Sequence, residues 1–399
     1  MILSLVQSKL DVKRKTRDNL LNWRGQFTPD FVECLLEHYA CPESIVVDPF
    51  EGSGTVLLEC ARKNIEAHGF EINPAACAMS KIYLFCRLDN SERDQVIEGF
   101  ERNLFRLVQP ISTLPFYGDS NHSKSYSNLV DLTRDLLGVA KDELARVLAL
   151  NLLFQCENQK SNDLAETVFT LWFRLKYSVQ NLPYTHSPIT SRLCDARLAH
   201  TQLAVQPTLI ITSPPYINVF NYHQNHRAIL EAAGWDMLKV AVSEFGANRK
   251  NRGNRFKTVI QYALDMEQAL RGFWQMLCDG GRVILIVGRE SNIRQLAILN
   301  GLIVEEILAE MGGFLLEGKH ERCFLNRFGV AIVEDILVLR KAGAPCSQSV
   351  GRNIAVEHLK KGLNGLVNEV QKDVMNAISE CEMVQSSPLF TPAEAFVNV

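Results

Sequence analysis

Short apolar runs recur along this chain, each closed by a polar or glycine-rich turn. Ile45-Val46-Val47-Asp48, Leu209-Ile210-Ile211-Thr212 and Val283-Ile284-Leu285-Ile286-Val287 are apolar at consecutive rather than alternate positions. That continuity predicts strands buried on both faces of a parallel sheet. Helical periodicity separates them, as in Val56–Asn64, Ser91–Val108 and Leu129–Phe154. The stretch 328–341 (FGVAIVEDILVLRK) reads as a late hairpin-like pair. A polar linker then follows Ala342, an amphipathic stretch covers Ile354–Ser379, and a loose end carries Pro388 and Pro392. The pattern predicts an α/β, doubly wound domain with a mostly helical insertion. Its texture divides at 1–85, 86–190, 191–341 and 342–399.

Composition narrows the class. A chain of 399 residues with 47% hydrophobic and 22% charged residues excludes a disordered chain, a collagen-like repeat and a small disulfide scaffold. The net charge of −3 argues against wholesale coating of nucleic acid by a basic protein, while leaving room for a local basic patch. No apolar run approaches the roughly 20 residues that span a bilayer. The N-terminus is apolar first and charged second, the reverse of a signal peptide, so a cytoplasmic, non-membrane protein is expected. The 11 cysteines are scattered, with no CxxC pair, which predicts reduced thiols and no metal site.

Two constellations carry the chemistry. In the first, a strand ends at Asp48 and Pro49-Phe50-Glu51-Gly52-Ser53-Gly54-Thr55 turns into a helix. Gly52 and Gly54 allow a tight turn and close approach to a ligand, and the helix N-terminus suits an anionic group such as a carboxylate. About 20 residues on, a second strand ends at Phe70-Glu71-Ile72-Asn73, placing Glu71 to accept ribose hydroxyls. The pattern lacks GxxxxGK[ST], and an acid beside the loop repels a pyrophosphate. A ligand with a positive charge and a ribose fits better; S-adenosylmethionine is one.

In the second, the run 208–212 leads into Ser213-Pro214-Pro215-Tyr216. Two prolines stiffen the backbone and remove two donors, so their carbonyls form a rigid set of acceptors. With Ser213 they can hold an exocyclic amino group, and Tyr216 offers a flat face for a base.

DPFEGSGT and TSPPY together resemble motifs I and IV of the S-adenosylmethionine-dependent amino-methyltransferases that act on exocyclic nitrogens of DNA bases. Arg24-Gly25-Gln26-Phe27-Thr28-Pro29 resembles their motif X, Glu71 sits at the motif II position, and Cys194-Asp195-Ala196-Arg197 resembles motif III, with Cys194 replacing the usual glycine. The segment after Tyr216 is similar to their NxxDY element, and Gly280–Gly288 to their glycine-pair strand. The resemblance covers roughly 20–85 and 190–341. It implies a doubly wound Rossmann-like methyltransferase sheet. It also implies cofactor binding by Phe27, Thr28, Asp48, Phe50, Gly52, Gly54, Thr55, Glu71, Asn73, Asp195 and Ala196, with Asp195 on the adenine amino group. Catalysis is implied for Ser213, Pro214, Pro215 and Tyr216. The target base would be flipped out of the duplex onto Tyr216. The motif order, cofactor half first and the insertion between motifs II and III, transfers no target-recognition region; the helical insertion at 86–190 is a candidate for one.

Serine at the first motif IV position favours cytosine N4 as target, with adenine N6 as the alternative. Arg249, Lys250, Arg252, Arg255 and Lys257, in a stretch with no acid, are candidates for phosphate contacts with double-stranded DNA. Lys319, His320, Arg322 and Arg327 would extend that patch, whereas His223 and His226 read as structural hydrogen-bonders. The expected setting is a restriction-modification or defence system with a cognate restriction endonuclease. The competing readings are an RNA base methyltransferase and a non-enzymatic binding module; the intact Asp48, Gly52, Gly54 and Ser213–Tyr216 speak against the latter.

Overall fold

A computed structural model describes residues 5–108, 126–159, 163–217, 221–247, 251–325, 329–363, 366 and 368–397. The chain begins with α1 (Gln7–Asp11), α2 (Pro29–Tyr39), β1 (Ile45–Asp48), α3 (Thr55–Arg62), β2 (Glu66–Glu71) and α4 (Pro74–Ser80). The helices α5 (Asn90–Leu107), α6 (Leu129–Val139), α7 (Glu143–Glu157) and α8 (Leu164–Gln180) follow. Next come β3 (Ile189–Leu193), β4 (Leu209–Thr212), α9 (Arg227–Ala232), α10 (Met237–Ser243), α11 (Lys257–Met276) and β5 (Arg282–Gly288). A small hairpin, β6 (Ser291–Ile293) with β7 (Leu296–Ile298), and α12 (Asn300–Met311) lead to the long strands β8 (Gly312–Leu325) and β9 (Ala331–Pro345). The tail carries α13 (Gly351–Lys361), α14 (Asn368–Ser379) and α15 (Pro392–Ala395).

The described residues form a seven-stranded sheet in the order β3-β2-β1-β4-β5-β9-β8. β1 to β5 pair in parallel and β9 runs antiparallel between β5 and β8. The expected doubly wound α/β sheet is therefore present. The chain winds outward from β1 to β3, then returns to lay β4 on the other flank of β1. That reversal opens a crevice at the carboxyl ends of β1 and β4, where open α/β sheets bind ligands.

Both faces of the sheet are covered, which explains the unbroken apolar runs. Val46, Ile211, Ile284 and Ile286 join a core with α2 to α8, while Val47, Ile210, Val283, Leu285 and Val287 join a second core with α11 to α13. Each such side chain contributes about 1.5–3 kcal/mol relative to exposure. None of the described helices is long and apolar enough to cross a membrane. The cysteines are unpaired.

Three expectations are corrected. Residues 331–341 do not fold back on themselves; they lie in one continuous strand, whose partner is the upstream β8. β8 is an edge strand whose apolar ends are separated by glycines and the charged run Lys319–Arg322, so its sequence carries no regular strand pattern. β9 also runs on to Pro345, into the expected linker. The tail's amphipathic stretch is two helices, and α13 packs on α11.

One cation ties the two ends of the helical insertion together. Arg93, near the start of α5, is 1% exposed and donates to the carbonyls of Leu182 at 2.7 Å, Gln180 at 3.1 Å and Leu88 at 3.1 Å. A guanidinium suits this place because the last carbonyls of α8 have no helical donors and carry the negative end of its dipole. Arg93→Met, similar in length but without donors, is expected to lower the unfolding free energy by about 2–3 kcal/mol in urea titration.

Candidate cofactor pocket and catalytic turn

Asp48 closes β1 and is 2% exposed. Its Oδ1 accepts from Thr212 Oγ1 at 2.6 Å and from the Phe50 amide at 3.1 Å, so it joins the ends of β1 and β4. Burial pushes its carboxyl up to about 7. Gly54, at φ +82°, caps α3; a Cβ there would stand 2.7 Å from Ser80 Cβ, so only glycine makes this turn. Glu71, at the end of β2, accepts from the Gly52 amide at 2.9 Å and from the Asn73 amide at 2.8 Å. It holds both loops at once and keeps a spare lone pair on each oxygen. Burial raises it to about 7 as well.

Asp195 sits just after β3, fully buried. Both of its oxygens are engaged: Arg197 reaches Oδ1 through Nε at 2.9 Å and Oδ2 through Nη2 at 2.6 Å. The Phe390 amide adds a bond to Oδ2 at 3.1 Å. Arg197 continues to Asp265 at 3.3 Å, to the Ser387 carbonyl at 2.7 Å and to the Pro388 carbonyl at 2.9 Å. The C-terminal segment is thus bolted beneath the wall that carries Asp195.

These elements enclose an open cavity of about 820 Å³, counting its mouth. Of the residues expected at the cofactor, Phe27, Asp48, Phe50, Gly52, Thr55, Glu71, Asn73, Asp195 and Ala196 line it; of those expected in catalysis, Ser213 and Pro215 do. Thr28, which precedes α2, and Gly54 stand behind the lining, and Pro214 is buried. Tyr216 is half-buried and turns its phenol toward Glu334, 2.8 Å away.

Five acids line the cavity, Asp48, Glu51, Glu71, Asp195 and Glu244, against one cation, Arg24. Glu51, Glu244, Tyr222, Trp23 and Phe245 were not anticipated. Glu51 and Trp23 lie inside or beside motifs already recognised. Glu244 and Phe245 have no local signal: they follow α10, and Glu244 is held by His223 Nδ1 at 2.8 Å. Tyr222 stacks on Trp23 at 5.9 Å. His226 bonds Glu157 at 2.6 Å, so both histidines make the structural hydrogen bonds expected of them.

The basic stretch is partly committed elsewhere. Arg252 and Arg255 are exposed, Lys257 pairs with Glu380, and Arg249 and Lys250 lie outside the described residues. Of the residues expected to extend this patch, Arg322 is corrected, being 5% exposed and stacked on Phe31; Lys319 is exposed and pairs with Glu305, and His320 is half-buried. Arg327 lies outside the described residues, as do the first residues of the NxxDY-like segment, 218–220. Among the described residues no group of three or more His, Cys, Asp or Glu side chains is placed to hold a metal ion.

Residues 6–81 match the family model described as DNA methylase. A 62-residue stretch is 36% identical to the Type II methyltransferase M.MjaII of Methanocaldococcus jannaschii, taking in 16% of this chain and 12% of that relative's length. Among solved structures, TrmN from Thermus thermophilus aligns at 15% identity over 80% of this chain and 50% of that one, with a TM-score of 0.33. The rRNA methyltransferase aviRa from Streptomyces viridochromogenes aligns at 11% identity over 80% and 88%, with a TM-score of 0.32. The chain thus spans about an eighth of the length of the curated relative that it matches, and the family likeness falls on the segment that forms the crevice end of β1 and β2. Over residues 6–81 the sequence is similar to that of the DNA methylases, for which the expected cofactor is S-adenosylmethionine.

The lining fits this cofactor. An excess of carboxylates suits a sulfonium and an ammonium and opposes a polyphosphate. Glu71 has lone pairs for two hydroxyls, and the edge-on pair Phe50 and Phe245, at 5.3 Å, offers aromatic surface for an adenine.

Two predictions follow from this geometry. Asp48 and Glu71 have folded pKa values near 7, above their unfolded values, so each stabilises the fold below about pH 4 and that stabilisation is lost as pH rises through 7. The cofactor-free protein should therefore melt at a lower temperature at pH 8 than at pH 6, whereas calorimetry should show cofactor affinity rising about tenfold over the same interval, with proton release. Deleting residues 385–399 should weaken cofactor binding by at least about tenfold while far-UV dichroism is retained, because Asp195 and Arg197 lose partners that keep the wall in place.

Proposed function

We propose that this protein transfers a methyl group from S-adenosylmethionine to the exocyclic amino group of a base in double-stranded DNA, most directly cytosine N4. The observation that carries the reading is that one cavity is lined both by the acids Asp48 and Glu71 and by Ser213 and Pro215 of the Ser-Pro-Pro-Tyr turn. Cofactor and acceptor thereby share a wall, and positioning of this kind can supply about 7–11 kcal/mol of a barrier.

The cofactor contributes an electrophilic methyl on a sulfonium. The chain's own residues do the rest. Glu71 and Phe50 hold the nucleoside, and Asp48 and its neighbours carry negative charge beside the cation. Ser213 Oγ and the proline carbonyls accept from the amino group and orient its lone pair. Tyr216 supports the base outside the stack, and the exposed Arg252 and Arg255 contact flanking phosphates.

Adenine N6 is the second reading for the base, because Ser213 is neutral and an acceptor turn serves either amino group. Residues 6–81 match a DNA methylase model, which favours DNA over RNA as substrate. A restriction-modification or defence setting, with a cognate endonuclease, belongs to the same proposal.

Labelled S-adenosylmethionine with mixed-sequence duplex DNA, followed by nucleoside mass spectrometry, tests it. N4-methylcytosine is the expected product. N6-methyladenine would overturn the choice of base, and transfer to RNA alone would overturn the choice of substrate. Tyr216→Ala, which removes the ring as well as the hydroxyl, should cut transfer by more than about 100-fold with cofactor binding intact; unchanged transfer would remove the stacking role.

A further inference from the structure

A row of cross-strand partners crosses the sheet at the carboxyl end of β5. Gly288 on β5 pairs with Glu334 on β9, which pairs with Arg322 on β8. Tyr216 enters this row from the catalytic turn. A Cβ on Gly288 would stand 2.6 Å from Tyr216 Cε2, so the ring lies here only because that residue is glycine. The phenol donates to Glu334 Oε1 at 2.8 Å. Arg322 Nη1 donates to Glu334 Oε2 at 3.3 Å, and its guanidinium sits 4.2 Å from the Phe31 ring centre and 4.6 Å from that of Phe324. Glu334 and Arg322 are 8% and 5% exposed. On its near side the phenol oxygen lies 3.3 Å from Ser213 Oγ.

The far end of this chain sets its direction. A carboxylate beside a guanidinium only accepts hydrogen bonds. The phenol's one proton therefore goes to Glu334, and its oxygen is left to accept from Ser213. The serine commits its only proton to Tyr216 and presents lone pairs to whatever enters the turn. A separation of 3.3 Å is long for two hydroxyls, and catalytic contacts of this kind commonly tighten once substrate is bound.

Resting on the function proposed above, we infer that Glu334, steadied by Arg322, is a positioning residue that makes Ser213 an acceptor for the substrate N–H. In the transfer the amino nitrogen bonds to the methyl carbon, the carbon–sulfur bond breaks with its electron pair on sulfur, and the nitrogen sheds one proton. That proton passes to Ser213 Oγ, as the serine proton moves to the phenol oxygen and the phenol proton to Glu334. The row gives a neutral serine the polarity that a carboxylate has by itself. Position 213 then acts as an acceptor toward cytosine and adenine alike.

The test compares the wild-type protein with E334Q, Y216F and the double variant S213D/E334Q. Methyl transfer to duplex DNA is one readout; the ¹³Cζ resonance of labelled Tyr216 is the other. Glutamine keeps the shape of the side chain but offers the phenol a donor, which reverses the chain. E334Q and Y216F should each lose about 100-fold in kcat, with KM for DNA and cofactor affinity within about twofold. S213D/E334Q should regain about tenfold over E334Q, since a carboxylate at 213 accepts unaided, a recovery that a purely structural role for Glu334 would not permit. The Tyr216 resonance should shift in E334Q. A wild-type kcat in E334Q, a loss that S213D leaves unrepaired, or an unmoved resonance would overturn the inference. If the wild-type protein methylates neither DNA nor RNA, the function proposal fails, and the Tyr216 resonance still decides the hydrogen-bond chain.

Discussion

The hydroxyl of Thr212, donating to Asp48 across 2.6 Å, ties together the ends of two adjacent strands. β1 passes into a glycine turn and a helix, β4 into a proline-stiffened turn. Because the strands are neighbours in register, the two turns must face each other across one crevice. Glu71 then reaches over from β2 to hold the glycine turn by the Gly52 amide. The relative placement of the two turns is thus a property of strand order, and no long-range device is needed to bring them together.

The crevice is costly to maintain. Carboxyls buried there resist ionisation, as the upward shifts of Asp48 and Glu71 to about 7 show. Arg197, Asp195 and Asp265 are charges taken out of water, at several kcal/mol per ion before compensation. They are tolerable because Arg197 has carboxylates and tail carbonyls within hydrogen-bond reach and Asp195 is bonded through both oxygens. The tail therefore matters to the site out of proportion to its few contacts, for it completes the solvation of groups that the site cannot leave bare.

Much of this was legible in the residues. The unbroken apolar runs gave buried parallel strands, and the acids and glycines at their ends marked the crevice. What escaped notice has physical causes. β8 carries glycines and a charged middle, Glu317 and Lys319–Arg322, between its apolar ends, so it shows no regular period-two pattern and the hairpin reads as lying within 328–341. Glu244 and Phe245 reach the pocket through tertiary packing after α10, which no local spacing encodes. Arg322 looked like part of a basic surface, yet a guanidinium between two phenylalanine rings and a carboxylate is as much at home in the interior. The turn of Tyr216 toward Glu334 likewise needed the register of three strands.

The attachment of the tail to Arg197 also has a meaning in time. Arg197 is synthesised 190 residues before the Ser387 carbonyl that it binds. At about 5–20 residues per second, the guanidinium and its carboxylates wait roughly 10–40 s for that partner. Through that interval the strands and helices can form, but the wall beside Asp195 stays hydrated and loose. The pocket is consequently among the last parts of the molecule to mature. A nascent chain stalled before its tail would hold most of the sheet without a finished cofactor site.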